Sequence, residues 1–164
     1  MNNIQSMLTI GSIALFSLIS IRFNSSVLEN MTVEVENKVY LTAFSLADDL
    51  IEEIKQKAFD EQTIIFRSIN PGELTSPTAL EPESGENNVT DYDDIDDYNG
   101  YEKEISLPHA EGFNVNSHVY YVTENNFNQA STVQTFFKRV DVSVSSDYLR
   151  APITISFIFT LHSK

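Results

Sequence analysis

IQSMLTIGSIALFSLISI, residues 4 to 21, contains no charged side chain and is built from Ile, Leu, Phe, Met and small residues. In helical form its 18 residues rise about 27 Å at about 1.5 Å each, close to the ~30 Å core of a bilayer. A cleaved signal peptide would call for a basic leading segment and a small-x-small cleavage site. MNNIQS offers no Lys or Arg. A buried core helix is the third reading, though one seldom sits uncapped at a chain's N-terminus. The stretch is therefore read first as a membrane or filament-core helix, set within an anchor region of residues 1–25.

Working outward, Phe23-Asn24-Ser25-Ser26 is a polar interruption, and Ser26 with Glu29 fits a capping box. A second helical pattern runs from Val27 to Phe59. Tyr40, Ala43, Phe44, Ala47, Leu50, Ile51, Ile54 and Ala58 recur at spacings of three and four, with Asp48, Asp49, Glu52, Glu53 and Gln56 opposite. Glu53 is placed to pair with Lys57. Residues 26–61 thus read as an amphipathic helix that covers a sheet. Together the two patterns span most of residues 2 to 60, with the Asn-Ser-Ser stretch and Gly11 as the expected interruptions. Unbroken, that helix would reach about 85 Å. Its all-apolar half needs lipid or other copies of itself; its amphipathic half needs its own head.

Residues 62–100 read as a turn-rich acidic loop region, punctuated by Asn70-Pro71-Gly72, Ser76-Pro77, Glu81-Pro82 and Ser84-Gly85. Thr63 to Ile69 is expected as a short strand. Acidic density peaks between Glu81 and Asp97, where no basic residue occurs. Residues 101–164 read as an antiparallel sheet, with strands expected at Glu102–Leu107, Ser117–Thr123, Phe136–Val144 and Ile153–Leu161. In the last, Ile153, Ile155, Phe157, Phe159 and Leu161 share a face. The fold class is α+β: a long N-terminal helix packed on a small antiparallel sheet head.

Bulk composition narrows the function. The 164 residues suffice for one modest domain and an anchor. A net charge of −14 argues against nucleic-acid backbones and anionic lipid surfaces as partners. With no cysteine, disulfides, thiolate metal sites and cysteine nucleophiles are excluded. Asn24, Asn30 and Asn88 sit in Asn-x-Ser/Thr triplets, which arise often by chance in a chain this rich in Asn and Ser.

Asp91, Asp93, Asp94, Asp96 and Asp97 form a dense set of hard oxygen ligands, the type calcium prefers. Aligning Gly100 with the glycine of an EF-hand loop puts Ile95 at the first ligand position and Ser106 at the closing one, so that motif fails. An irregular calcium site on Asp93, Asp94, Asp96 and Asp97 stays open. The preferred expectation is that these aspartates splay outward, hydrated or bonded to backbone amides, with no cofactor. Consecutive carboxylates on a loop lack the cleft that separates an acid from a base. His109, His118 and His162 are isolated, with His118 expected on an exposed strand face, and no phosphate loop or nucleophile elbow occurs. No enzymatic role is expected.

AFSLADDLIEEIKQKAFDE, residues 43 to 61, resembles the helix segment of type IV pilin-like minor pilins and type II secretion pseudopilins. DYDDIDDYNGYEK, residues 91 to 103, resembles an Asp-rich stretch found in a subset of that superfamily, and the KRVDVSV strand follows in order. The resemblance implies a structural subunit held first in the inner membrane, then packed with identical or related subunits into a periplasmic or extracellular helical filament. Gln5, Leu8, Ile13, Leu15 and Leu18 would be assembly residues. Gln5 stands where the family carries an acid if Met1 is the first mature residue; it would accept a hydrogen bond without forming the full charge pair. A basic leader ending in Gly is absent from this sequence. The alternative function is a monomeric membrane-tethered module binding a ligand through its acidic loop or β-head.

Overall fold

The computed structural model describes residues 3–65, 70–107 and 110–161. Two compact units divide it, Met1–Lys38 and Val39–Lys164. Helix α1, Asn3–Ile54, contributes to both. The expected break and capping box at Asn24-Ser25-Ser26 do not form. Ending a helix there would leave four carbonyls and four amides without intrahelical partners, while continuing costs only the weak propensities of Asn and Ser. Propagation wins over a second nucleation. Hydroxyls in the apolar part are also satisfied within the helix: Thr9, Ser12 and Ser17 donate to the carbonyls of Gln5, Leu8 and Ile13 at 2.7–2.8 Å.

The helix stops at Ile54, five residues before the expected end at Phe59. Gln56 and Lys57 close the last turn by donating to the Glu53 and Ile54 carbonyls, three residues back. Ala58 then spends its backbone groups elsewhere: its N–H donates to the Asp93 carbonyl, and its carbonyl accepts from the Ile95 N–H. That parallel bridge stitches the end of the helix to the acidic loop. Because Lys57 lies beyond the helix, the Glu53–Lys57 pair does not form; Lys57 donates to the Tyr92 carbonyl, and Lys55 pairs with Glu52 at 2.6 Å.

The expected strand at Thr63–Ile69 is instead a short helix, α2, Glu61–Ile65, over its described part; residues 66–69 lie outside the described residues. Asp60 caps it, its Oδ1 accepting the Gln62 N–H at 3.1 Å and its carbonyl the Thr63 hydroxyl at 2.6 Å.

The strands are β1 (Glu102–Leu107), β2 (Ala110–Thr123), β3 (Asn126–Ala130), β4 (Phe137–Ser145) and β5 (Ile153–Thr160). All pairings are antiparallel, in the order β1-β2-β4-β5, with β3 added at β2. The first half of β2 and all of β3 escaped the sequence reading, because AEGFNVN and NFNQA are polar and Asn-rich, against the usual strand preference.

Phe113, Val115, Val119 and Tyr121 of β2 and Val140, Val142 and Val144 of β4 form the buried face. Val39, Ala43, Ala47, Leu50, Ile51 and Ile54 of α1 join the same core. The helix is therefore rotated relative to the expected stripe: Val39 is buried, while Tyr40 and Phe44 stay exposed. Of the expected β5 face, Ile153, Ile155, Phe159 and Leu161 pack on the core, and Phe157 remains open beneath the Lys55 Nζ, 4.3 Å from its ring centroid.

Since the whole core cluster belongs to Val39–Lys164, a chain beginning at Ser26 is expected to be a soluble, folded monomer. Light scattering and a cooperative thermal melt would check this, and an unfolded or polymeric product would refute it. Within that chain, Ala47→Leu should cost about 1–3 kcal/mol in urea unfolding, because Ala47 is fully buried and added methylenes must displace packed neighbours.

Candidate functional site

DYDDIDDYNGYEK does not splay outward. Asp94, Asp96 and Asp97 are fully buried, as are Ile95 and Tyr98, while Asp93 is exposed. Ile95 and Tyr98 drive this placement by entering the core, and a 3-10 turn at Asp96–Tyr98 carries the aspartates in with them. The outward expectation treated the stretch as solvated charge and overlooked its two large apolar anchors.

Each aspartate has its own task. Asp94 Oδ1 accepts the N–H of Asp96 at 2.6 Å and that of Asp97 at 3.3 Å. Asp97 Oδ2 accepts the N–H of Asp93 at 2.8 Å and that of Asp94 at 3.1 Å. These reciprocal bonds lock the turn. Asp96 Oδ1 stands 2.6 Å from the Lys138 Nζ. The loop is further held by Asn99, whose side chain donates to the Leu80 carbonyl and accepts from the Val119 N–H. Gly100, at φ +81°, makes the left-handed turn into β1. The Tyr98 hydroxyl donates to Glu53 Oε1 at 2.8 Å, tying the turn to α1.

Lys138 is the residue that the sequence reading missed. It alternates inward with Val140, Val142 and Val144 along β4 and is fully buried. Its Nζ donates to Asp60 Oδ2 at 2.8 Å and to the Phe59 carbonyl at 2.7 Å. The Phe59 and Tyr121 rings flank it at 4.7 and 5.1 Å. Asp60 also accepts from the Thr75 N–H and from the Tyr121 hydroxyl, each at 3.0 Å. Burial pulls the Asp60 carboxyl upward, but the Lys138 charge and these hydrogen bonds outweigh it and hold the group below the usual range. Burial raises Asp94 and Asp96, with Lys138 opposing the rise in both.

Of the four aspartates for which an irregular calcium site stayed open, Asp94 and Asp97 accept backbone N–H groups of the turn, Asp96 faces Lys138, and Asp93 is exposed. Among the described residues, the acidic set whose oxygens converge is Glu83, Glu86 and Asp97. Two of these three lie outside the Asp-rich stretch and in a separate turn. Burial, followed by the neighbouring carboxylates, pushes Glu83 up to about 8. His118 lies on an exposed strand face, its ring 5.2 Å from that of Tyr120, as expected; His109 and His162 lie outside the described residues.

The expected assembly residues Gln5, Leu8, Ile13, Leu15 and Leu18 are all exposed on α1. Residues of this helix, an 18-residue window with a mean hydropathy of 1.8, are long and apolar enough to cross a membrane, and none of that window is buried within the chain. No protein-family profile matches the sequence, and neither a curated protein nor a solved structure matches it significantly.

Replacing Lys138 with Met should cost about 3–5 kcal/mol, since Asp60 and Asp96 would be left buried without their cation. Urea unfolding of Lys138→Met beside the triple variant with Asp60→Asn and Asp96→Asn checks the cause. The triple variant should regain part of the loss, and a Lys138→Met change under about 1 kcal/mol would contradict the assignment.

Proposed function

We propose that this chain is a non-enzymatic structural subunit of a pilin-like filament. Its N-terminal helix would reside in a bilayer before assembly and in the packed helical core afterwards. Neighbouring copies, or related subunits, would meet through Leu8, Ile13, Leu15 and Leu18, with Gln5 offering a hydrogen bond. The cell envelope is the setting: first the inner membrane, then a periplasmic or extracellular filament.

The observation that carries this reading is the extent of exposed apolar surface on α1. A bare anchor needs about 20 apolar residues. Here exposed apolar side chains continue past Arg22, with Leu28, Met31 and Val35 at spacings of three and four and Leu41 and Phe44 further on. Burying a Leu or Ile is worth about 1.5–3 kcal/mol. Lipid covers the first part of that surface equally well for a tethered monomer, but it does not reach the later residues. Packing against other helices covers both. The family resemblance of residues 43–61 and 91–103 points the same way.

Leu15→Asp and Leu18→Asp should abolish assembly while leaving the head folded, because a charge at the centre of an apolar helix costs about 2.5–3.5 kcal/mol in lipid. Sheared surface fractions viewed by electron microscopy and probed for this chain supply the measurement. Filaments at normal yield from either variant would sink the reading. A wild-type chain found only in membranes, as a monomer, would favour the tethered module.

A further inference from the structure

We propose that Glu83, Glu86 and Asp97 form a divalent-cation site, with calcium as its ion. Their ligand oxygens lie within 4.8 Å of one another. A calcium ion at about 2.3–2.6 Å from each oxygen requires such a spacing, since two ligands on opposite sides stand no further apart than about 5 Å. None of the ion pairs among the described residues involves any of the three.

Proximity of acids alone would not identify a site. The second observation is the state of Asp97. Its side chain is fully buried, and its Oδ2 is fixed by two backbone N–H groups, while its Oδ1 is buried without a hydrogen-bond partner. The Asp97 carboxylate is therefore held in a locked position beside the two glutamates, with one oxygen left for a ligand. Glu83 repeats the pattern, with Oε2 buried and unpartnered. Glu86 Oε2 accepts the Glu83 N–H at 3.0 Å, so the turn between the two glutamates also orients the second one. Unpaired buried carboxylate oxygens are costly. Two such oxygens, on Asp97 and Glu83, set beside the Glu86 carboxylate are costlier still, and a cation among the three side chains removes both penalties at once.

The choice of ion follows from the donors. All three are hard carboxylate oxygens, without sulfur or imidazole, which disfavours zinc and copper. They come from two turns of the acidic loop region, and water or carbonyl oxygens would complete the flexible sphere of six to eight ligands that calcium takes. Magnesium demands near-ideal octahedral geometry and dehydrates reluctantly, so it should bind more weakly. Asp94 and Asp96 serve the turn and Lys138 instead. The site is independent of filament assembly, and its test reads neither membrane insertion nor polymerisation.

Full-length protein in detergent micelles is stripped with chelator and titrated calorimetrically with calcium chloride, beside Glu83→Gln/Glu86→Gln. The wild type should take up one ion per chain saturably, and its melting temperature should rise with calcium. The double variant should bind at least tenfold more weakly and lose that rise. In chelator it should melt no lower than the wild type, because replacing the two carboxyls with amides relieves repulsion and retains the Asp97 backbone contacts. Absence of saturable uptake by the wild type at millimolar calcium would overturn the proposal. So would equal uptake by the double variant, or magnesium binding as tightly as calcium. Asp97 is left unmutated because its backbone bonds hold the turn. Should the double variant fail to melt cooperatively, Glu86→Gln alone supplies the same comparison.

Discussion

One buried cation organises the head. Lys138 enters the core at a position that alternation along β4 would assign to an apolar side chain, and it meets carboxylates from two separate segments. Asp60 follows α1 and caps α2; Asp96 belongs to the loop before β1. A single Nζ therefore joins the end of the helix, the acidic loop and the central sheet. Such an arrangement is a weak source of net stability, because desolvating three charges offsets most of their attraction. Its effect is on which arrangement forms. Any packing that moves β4 by one residue turns Lys138 outward and leaves Asp60 and Asp96 buried without a partner. The Arg139–Asp141 pair on the opposite face of β4 is partly solvated and adds little by comparison.

The acidic loop depends on this pairing and on its apolar anchors. Ile95 and Tyr98 pull the stretch into the core, and the aspartates between them must then find donors or a counter-charge. Asp94 and Asp97 find backbone amides, and Asp96 finds Lys138. The second oxygens of Asp94, Asp96 and Asp97 and Oε2 of Glu83 find neither, and of these residues Asp97 and Glu83 stand with Glu86 in the proposed cation cluster. A run of aspartates here closes a loop over a core, and its charge is mostly directed inward.

Helix α1 carries two kinds of surface on one secondary structure. Backbone bonds run uninterrupted from Asn3 to Ile54, and only side-chain chemistry changes along the way. The first part has no charge, and Thr9, Ser12 and Ser17 return their hydroxyls to helix carbonyls, an arrangement that suits hydrocarbon surroundings. Residues 39–54 bury small and branched side chains in the head core. This division supports the filament reading, because exposed apolar side chains persist along stretches that a bilayer alone would not cover.

Composition and periodicity were enough to determine the α+β class, the apolar N-terminal helix, the strands β1, β4 and β5 and the second half of β2, since burial of one face leaves a period of 3.6 or 2 in the residues themselves. Period-two alternation in FFKRVDVSV also places Lys138 on the face of Val140, Val142 and Val144. Local patterns mislead where a tertiary contact outbids them. Asn24-Ser25-Ser26 reads as a cap but lies inside a helix already propagating, and Ala58 leaves the helical ladder to bridge Asp93 and Ile95. β3 carries no strand-like composition and exists because β2 offers it an edge. Which carboxylates meet Lys138, and which meet each other, only the tertiary structure decided. Parity along a strand says which way a side chain points, whereas what lies opposite depends on segments as distant as Asp60 and Asp96 folding over the same patch of sheet.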